Sequence, residues 1–86
     1  MTEPQKRLGM SIGEKAARVG QLRRATEFVS RKAIAEALDI EDRSLRAKLD
    51  TDRGITDVDL TLAAAAVEAQ ANAMLALVAS IRERLA

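Results

Sequence analysis

The sequence predicts an all-α domain of four helices, and three observations support that prediction. No stretch of the 86 residues alternates apolar and polar side chains in the manner of a half-buried β-strand. The single proline, Pro4, stands near the start, so no later segment is barred from a helix. Apolar residues instead recur at steps of three and four, and alanine dominates the last third of the chain.

The first helix is predicted from Ile12 to Val29, after a polar segment (residues 1–10) that we expect to be flexible. Ser11 and Glu14 match a capping box, in which two side chains satisfy free backbone N–H groups at a helix start. Gly20 lowers helix propensity, which favours a close helix contact at that position. The apolar positions of this helix are Ile12, Ala16, Val19, Leu22, Ala25 and Val29.

Residues 30–49 predict two short helices joined by a tight turn. Ser30 caps the second helix, Arg31–Leu38, and the third helix is predicted for residues 42–49. Asp39 stands in the turn, where Asp enters the left-handed region more easily than most residues. The apolar set across the pair is Ile34, Ala35, Leu38, Ile40, Leu45 and Leu49.

This pattern resembles the helix-turn-helix of Cro- and phage-repressor-like regulators, which place a small residue where Ala35 stands so that two helices cross closely. The chain departs from the family at Asp39, which replaces the usual turn glycine. It also departs at Leu49, one place later than the family's last apolar position. A plain helical hairpin is the alternative interpretation.

The resemblance implies that the third helix enters the DNA major groove with its early exposed residues at the base edges. Arg43 and Arg46 are three apart, so they share a face, and either fits a bidentate contact to guanine. An ordinary solvated charge is the alternative for each. The candidate base contacts are Asp42, Arg43, Arg46 and Ala47, and the candidate phosphate contacts are Arg31, Lys32, Lys48 and Arg53.

The same helix begins with Glu41 and Asp42, whose carboxylates repel phosphate. This argues against DNA binding and leaves room for a helix-turn-helix fold that binds a protein.

The fourth helix has the clearest start in the chain and is predicted to run to about Arg84. Thr56 is a good N-cap, and Asp59 favours the positive end of the helix dipole. A heptad seam then follows, with Leu60, Val67, Met74 and Ile81 in one row and Ala64, Ala71, Val78 and Leu85 in the other. The predicted oligomer interface is Leu60, Val67, Ala71, Met74, Val78, Ile81 and Leu85.

Two alternatives apply to this helix. It could pack on the first helix of its own chain, which would leave no seam for a second copy. It is also long enough to span a membrane, although Glu68, Gln70 and Asn72 fall in the middle of the span and argue against it.

Composition narrows the classes of function. The chain has no Cys and no His, which removes disulfides, thiolate nucleophiles, zinc sites of the usual type and the commonest general base. We therefore expect no enzyme activity, no cofactor and no metal. The Asp50–Gly54 segment fails the calcium-loop pattern, since its glycine comes one place early.

Charge is unevenly distributed. The net charge is only +1, yet residues 1–48 hold eleven Lys/Arg against seven Asp/Glu, and the remainder is acidic. This asymmetry suits a mildly basic face in the first half and a packing element in the second.

The sequence as a whole predicts a small DNA-binding regulator, phage- or prophage-like in type, that acts as a homodimer or higher oligomer in the cytoplasm. A dimer would set two recognition helices about 34 Å apart on a pseudo-palindromic site. We expect double-stranded DNA as the partner, with no membrane and no small-molecule ligand. The alternatives are a protein-interaction module, such as an inhibitor, antitoxin or adaptor, and a structural bundle without a ligand.

Overall fold

The computed structural model describes residues 11–50 and 54–86, which form four α-helices and no β-strand. The helices are α1 (Ile12–Phe28), α2 (Arg31–Leu38), α3 (Asp42–Asp50) and α4 (Asp57–Leu85). The predicted all-α architecture is confirmed, and each helix ends within one residue of its expected boundary. The segment expected to be flexible, residues 1–10, and the candidate phosphate contact Arg53 lie outside the described residues.

The core takes one fully buried side chain from each of the first three helices. These are Leu22 of α1, Ile34 of α2 and Leu45 of α3. The remaining buried apolar residues are Ala25, Val29, Ala35, Leu38, Ile55 and Ala63. Because three of these six are alanines, the core is modest, and α4 closes it only with its first turns.

The predicted apolar face of α1 is buried only in its second half. Ile12 is 87% exposed and Ala16 is exposed, so their expected burial is wrong. The reason is that the core cluster includes α1 only from Val19 onward. The close contact expected at Gly20 is not made within the described residues: apart from its chain neighbours and the backbone of its own helix, no atom lies within 4 Å of the position its Cβ would take.

The helix starts follow from their capping residues. Thr56 and Asp59 form a complete capping box, in which each side chain accepts a hydrogen bond from the other's backbone N–H at 3.0 Å. The box predicted at Ser11 is half formed. Ser11 Oγ accepts from the backbone N–H of Glu14, while the Glu14 carboxylate accepts from Arg18 Nε.

The long helix α4 outreaches the body formed by the other three. Its 29 residues span about 43 Å at 1.5 Å per residue. Every residue from 68 to 86 is exposed. Within residues 11–50 and 54–86, the distal part of α4 (residues 71–85) therefore does not pack on α1 of its own chain. Such packing was one of the two alternatives for this helix.

Candidate nucleic-acid interface

The turn between α2 and α3 is closed by Asp39 in the left-handed conformation, with φ 58° and ψ 45°. The backbone N–H of Asp39 donates to Glu36 O, and that of Ile40 donates to Ala35 O, both at 3.0 Å. This pair of hydrogen bonds is the Schellman arrangement, which glycine usually completes. The expectation that Asp39 replaces glycine in the left-handed region is thus confirmed.

The orientation of α3 is set by Leu45, which is fully buried, and by Ile40 and Leu49, which are partly buried against the core. The helical period then directs the opposite face to solvent. On that face the side chains of Arg43 and Arg46 are 89% and 59% exposed. The two candidate base-contacting arginines are therefore accessible together.

Two adjacent acids at the start of α3, Glu41 and Asp42, already pair with cations of the predicted interface. Asp42 accepts from Arg31 Nε at 2.8 Å and lies 3.4 Å from Arg46 Nε, and Arg43 lies 3.8 Å from Glu41. All of these side chains are about half exposed or more, so each ion pair is worth only a fraction of a kcal/mol, roughly 0.2–1. The two acids neutralise part of the positive charge of this surface, and its cations are weakly held.

The other candidate DNA-contacting residues differ in their exposure and in the direction of their side chains. Lys32 is exposed at the start of α2, beside Arg31, where Ser30 Oγ caps the helix by accepting from the backbone N–H of Ala33. Ala47 is half-buried at the edge of the exposed face of α3. Lys48 points away from that face, toward the start of α4.

The C-terminal end of α3 is attached to the rest of the body by two long side chains. Lys48 Nζ lies 2.8 Å from Asp59 Oδ2 and donates to Gly54 O at 3.3 Å. Arg23 Nη2 of α1 donates to Leu49 O at 2.7 Å. The ammonium of Lys48 therefore joins α3 to α4, and its predicted phosphate contact would require breaking a largely buried ion pair.

Asp59 receives hydrogen bonds from both Lys48 and the backbone of Thr56 while only 9% exposed. Burial by itself raises the pKa of this carboxyl, but the hydrogen bond from Lys48 and the bonds from Thr56 outweigh burial and hold the pKa below its usual value. The folded state therefore stabilises the ionised carboxylate of Asp59.

This shift predicts acid-induced destabilisation that depends on Asp59. A depressed pKa gives stability that is present above the unfolded value, about 3.9, and is lost as the pH falls through the lower folded value. Asp59→Asn should lower the free energy of unfolding at pH 7 by about 1–3 kcal/mol, since it removes a charged hydrogen bond. It should also flatten the loss of stability below pH 4, as measured by thermal unfolding from pH 7 to 2.5.

The control for this comparison is Asp50→Asn, at an exposed position on the neighbouring helix. We expect its stability to follow the unmodified protein across the same pH range. Equal acid sensitivity in the Asp59→Asn variant and the unmodified protein would contradict the assignment.

The contacts of Arg18 hold α1 against the start of α4 and were not predicted from the sequence. Its Nη1 donates to Ile55 O at 3.0 Å, its Nη2 to Asp57 Oδ1 at 2.6 Å, and its Nε to Glu14 at 2.8 Å. The hydrogen bonds to Glu14 and Asp57 raise the pKa of the Arg18 guanidinium. The only local signal was the i, i+4 spacing of Glu14 and Arg18, since Asp57 is distant in sequence.

The predicted oligomer interface divides into two parts. Leu60 and Val67 pack partly against the core of their own chain. The distal residues Ala71, Met74, Val78, Ile81 and Leu85 are exposed, and the large ones range from 39% for Val78 to 80% for Leu85.

A groove of about 1040 Å³ runs between α1 and the first turns of α4. We call it the α1–α4 groove. Its lining is mostly apolar and includes Ala17, Gly20, Phe28, Ala64, Val67 and Glu68. Phe28 is 55% exposed there, with the Arg24 guanidinium 5.3 Å from the centre of its ring. The groove was not predicted, because it depends on how two helices distant in sequence approach each other.

By length and composition, α4 is also the one helix of the described chain that is apolar enough to cross a membrane. In the distal part of α4, however, the bulky side chains lie on one side, with Leu75 and Leu77 at its two edges. At 100° per residue, Met74, Val78 and Ile81 share a face, whereas Asn72 and Ser80 lie on the other. A one-sided stripe is typical of helix packing in water rather than of a helix surrounded by lipid.

Comparisons of the chain with protein-family models, with curated proteins and with solved structures found no match.

Proposed function

We propose that this chain is a sequence-specific DNA-binding regulator that acts as a homodimer or higher oligomer, occupying its site without a cofactor. The observation that supports this most directly is the presentation of α3. It follows a tight left-handed turn, is anchored by Leu45, and exposes Arg43 and Arg46 together on one face. This is the arrangement that a recognition helix requires.

The resting ion pairs do not prevent such binding, as a comparison of magnitudes indicates. Arg46 and Asp42 form an exposed i, i+4 pair, which is worth about 0.3–0.5 kcal/mol. A bidentate contact from an arginine to guanine O6 and N7 is worth about 1–3 kcal/mol. Exchange of Arg46 from Asp42 to a base is therefore favourable, and Arg31 is free to exchange in the same way to a phosphate.

The unpartnered distal part of α4 supports an oligomer. A second copy would supply a second recognition helix, and two-fold symmetry would make the DNA site a pseudo-palindrome. The proposed phosphate contacts are Arg31 and Lys32 at the start of α2, where the positive end of the helix dipole also favours an anion.

A protein-interaction module is the second candidate, and the acids at the start of α3 favour it. Arg31, Arg43 and Arg46 each lie within 4 Å of Glu41 or Asp42. A surface of mixed charge suits a mixed-charge protein partner as well as a nucleic acid.

The experiment that separates the two candidates is a fluorescence anisotropy titration of a labelled pool of random-sequence duplexes at several salt concentrations. DNA binding should weaken with a log–log salt slope of several units, because each neutralised phosphate contributes about −0.9. If the folded protein does not bind the pool at low salt, the DNA proposal is wrong and the interaction module replaces it.

Arg46→Ala should weaken binding to a site selected from that pool by about 1–3 kcal/mol, or roughly 5- to 150-fold, and relax the preference at one base pair. The matched control is Arg84→Ala, which removes the same charge from the exposed far end of α4. It should leave the base preference intact. An unchanged preference at every base pair in the Arg46→Ala variant would contradict the role assigned to Arg46.

A further inference from the structure

Two apolar surfaces of the body and α4 lack a partner within the described chain. One is the α1–α4 groove. The other is the stripe along the distal part of α4, where Met74 is 56% exposed, Leu77 60% and Leu85 80%. Exposed apolar surface that is continuous along a helix marks an interaction site.

We propose that a second copy of this chain covers both surfaces at once. The two α4 helices run antiparallel, and the distal part of each lies in the α1–α4 groove of the other. The inference deepens the proposed function, because a two-fold DNA-binding unit rests on such a dimer. Its geometry follows from side-chain size, charge and the position of the groove.

The sizes of the seam residues favour the antiparallel direction. When Val67 is level with Val78 of the partner subunit, Ala64 is level with Ile81 of the partner subunit and Ala71 with Met74 of the partner subunit. Each alanine of the seam then faces a large side chain. A parallel, in-register pair would place Ala64 opposite Ala64 of the partner subunit and Ala71 opposite Ala71 of the partner subunit. Two such small side chains leave a layer unfilled, and unfilled layers lose packing energy.

Charge favours the same direction. Glu68 and Arg82 lie on the same flank of the seam, directly after Val67 and Ile81. In an antiparallel pair, a flank of one helix lies against the same flank of the partner helix. Glu68 then lies beside Arg82 of the partner subunit, and two-fold symmetry forms this ion pair a second time. In a parallel pair the residues opposite them on the other flank, Ala63 and Leu77, are uncharged.

The groove supplies a third argument. In this register the last two turns of one α4 are level with residues 60–67 of the other, which form one wall of the α1–α4 groove. On the opposite wall Ala17 and Gly20 are small, and the space above Gly20 is open. A helix can approach closely there. A parallel pair leaves the groove out of reach of the distal residues.

Cysteine cross-linking tests the direction without DNA, so its outcome is independent of the DNA titration. The chain contains no Cys. Ala64→Cys and Ile81→Cys, both at exposed positions, are made in separate chains with tags of different size. Under mild oxidation the mixture should give a disulfide-linked heterodimer, and neither variant alone should cross-link. Copies of the same position would lie about 25 Å apart along the axis, far beyond disulfide reach.

The matched control is Ala65→Cys mixed with Ser80→Cys, which are level with each other in this register but lie on the opposite face of α4. This mixture should not cross-link. Self-cross-linking of Ile81→Cys alone would overturn the proposal in favour of a parallel pair. A monomeric mass for the unmodified protein at high concentration would overturn it as well. Flotation of the protein with phosphatidylcholine vesicles, without cross-linking, would assign the stripe to a membrane instead.

Discussion

Replacing Met74 and Val78 together by aspartate should convert the proposed dimer into folded monomers. Both side chains lie on the exposed stripe of α4, at 56% and 39% exposure, so the fold of a single chain does not depend on them. In an oligomer they would be buried, and each unpaired carboxylate taken out of water costs several kcal/mol. With two such charges on each chain, we expect the dissociation constant to rise by at least ~1000-fold.

The measurement is the mass of the protein across a range of concentrations, with circular dichroism to verify that the helices remain. Ala76→Asp with Ser80→Asp is the matched control, since it places the same two charges at the same spacing on the opposite face of the distal part of α4. That control should keep the mass of the unmodified protein. An unchanged mass in the Met74→Asp, Val78→Asp variant would mean that the stripe is not an oligomer interface.

Leu45→Ala should destabilise the domain by about 2–5 kcal/mol, the range for removing a fully buried leucine. Leu45 is the one fully buried side chain of α3, a helix of nine residues. A protein of this size has a total stability of roughly 4–13 kcal/mol, so the loss is a large share of the whole. We also expect α3 to lose its fixed orientation, which would weaken binding to any selected DNA site.

Urea unfolding followed by circular dichroism measures this effect. Leu45→Met, which nearly conserves volume, should cost less than about 1.5 kcal/mol. Arg43→Ala, on the exposed face of the same helix, should change stability by no more than about 0.5 kcal/mol. A loss below 1 kcal/mol for Leu45→Ala would show that α3 is held mainly by its polar contacts, through Lys48 and Arg23.

The helix boundaries could be predicted because their causes are local. Ser30, Asp39 and Thr56 act on backbone groups within five residues of themselves, and the structure places all three in the expected capping or turn conformation. The buried positions Leu22, Ile34 and Leu45 followed from apolar spacing for the same reason.

The spacing of apolar residues did not predict burial correctly where the burial of a helix face depends on the length of a neighbouring helix. Ile12 and Ala16 continue the apolar series of α1, yet the core cluster does not extend to them. The contacts of Arg18 with Asp57 and of Lys48 with Asp59 were not predicted, because they join helices whose mutual approach is decided by packing. Lys48 was a candidate phosphate contact because its spacing placed it with the exposed cations. In the structure its ammonium pairs with Asp59 instead.

The sequence by itself determined four helices, their ends and a seam of heptad spacing along the last of them, because capping, propensity and periodicity act over a few neighbouring residues. Only the tertiary structure decided which part of that seam is used inside the chain. The short α2 and the second half of α1 cover α4 as far as Val67, and their limited reach leaves the rest of its apolar face in water.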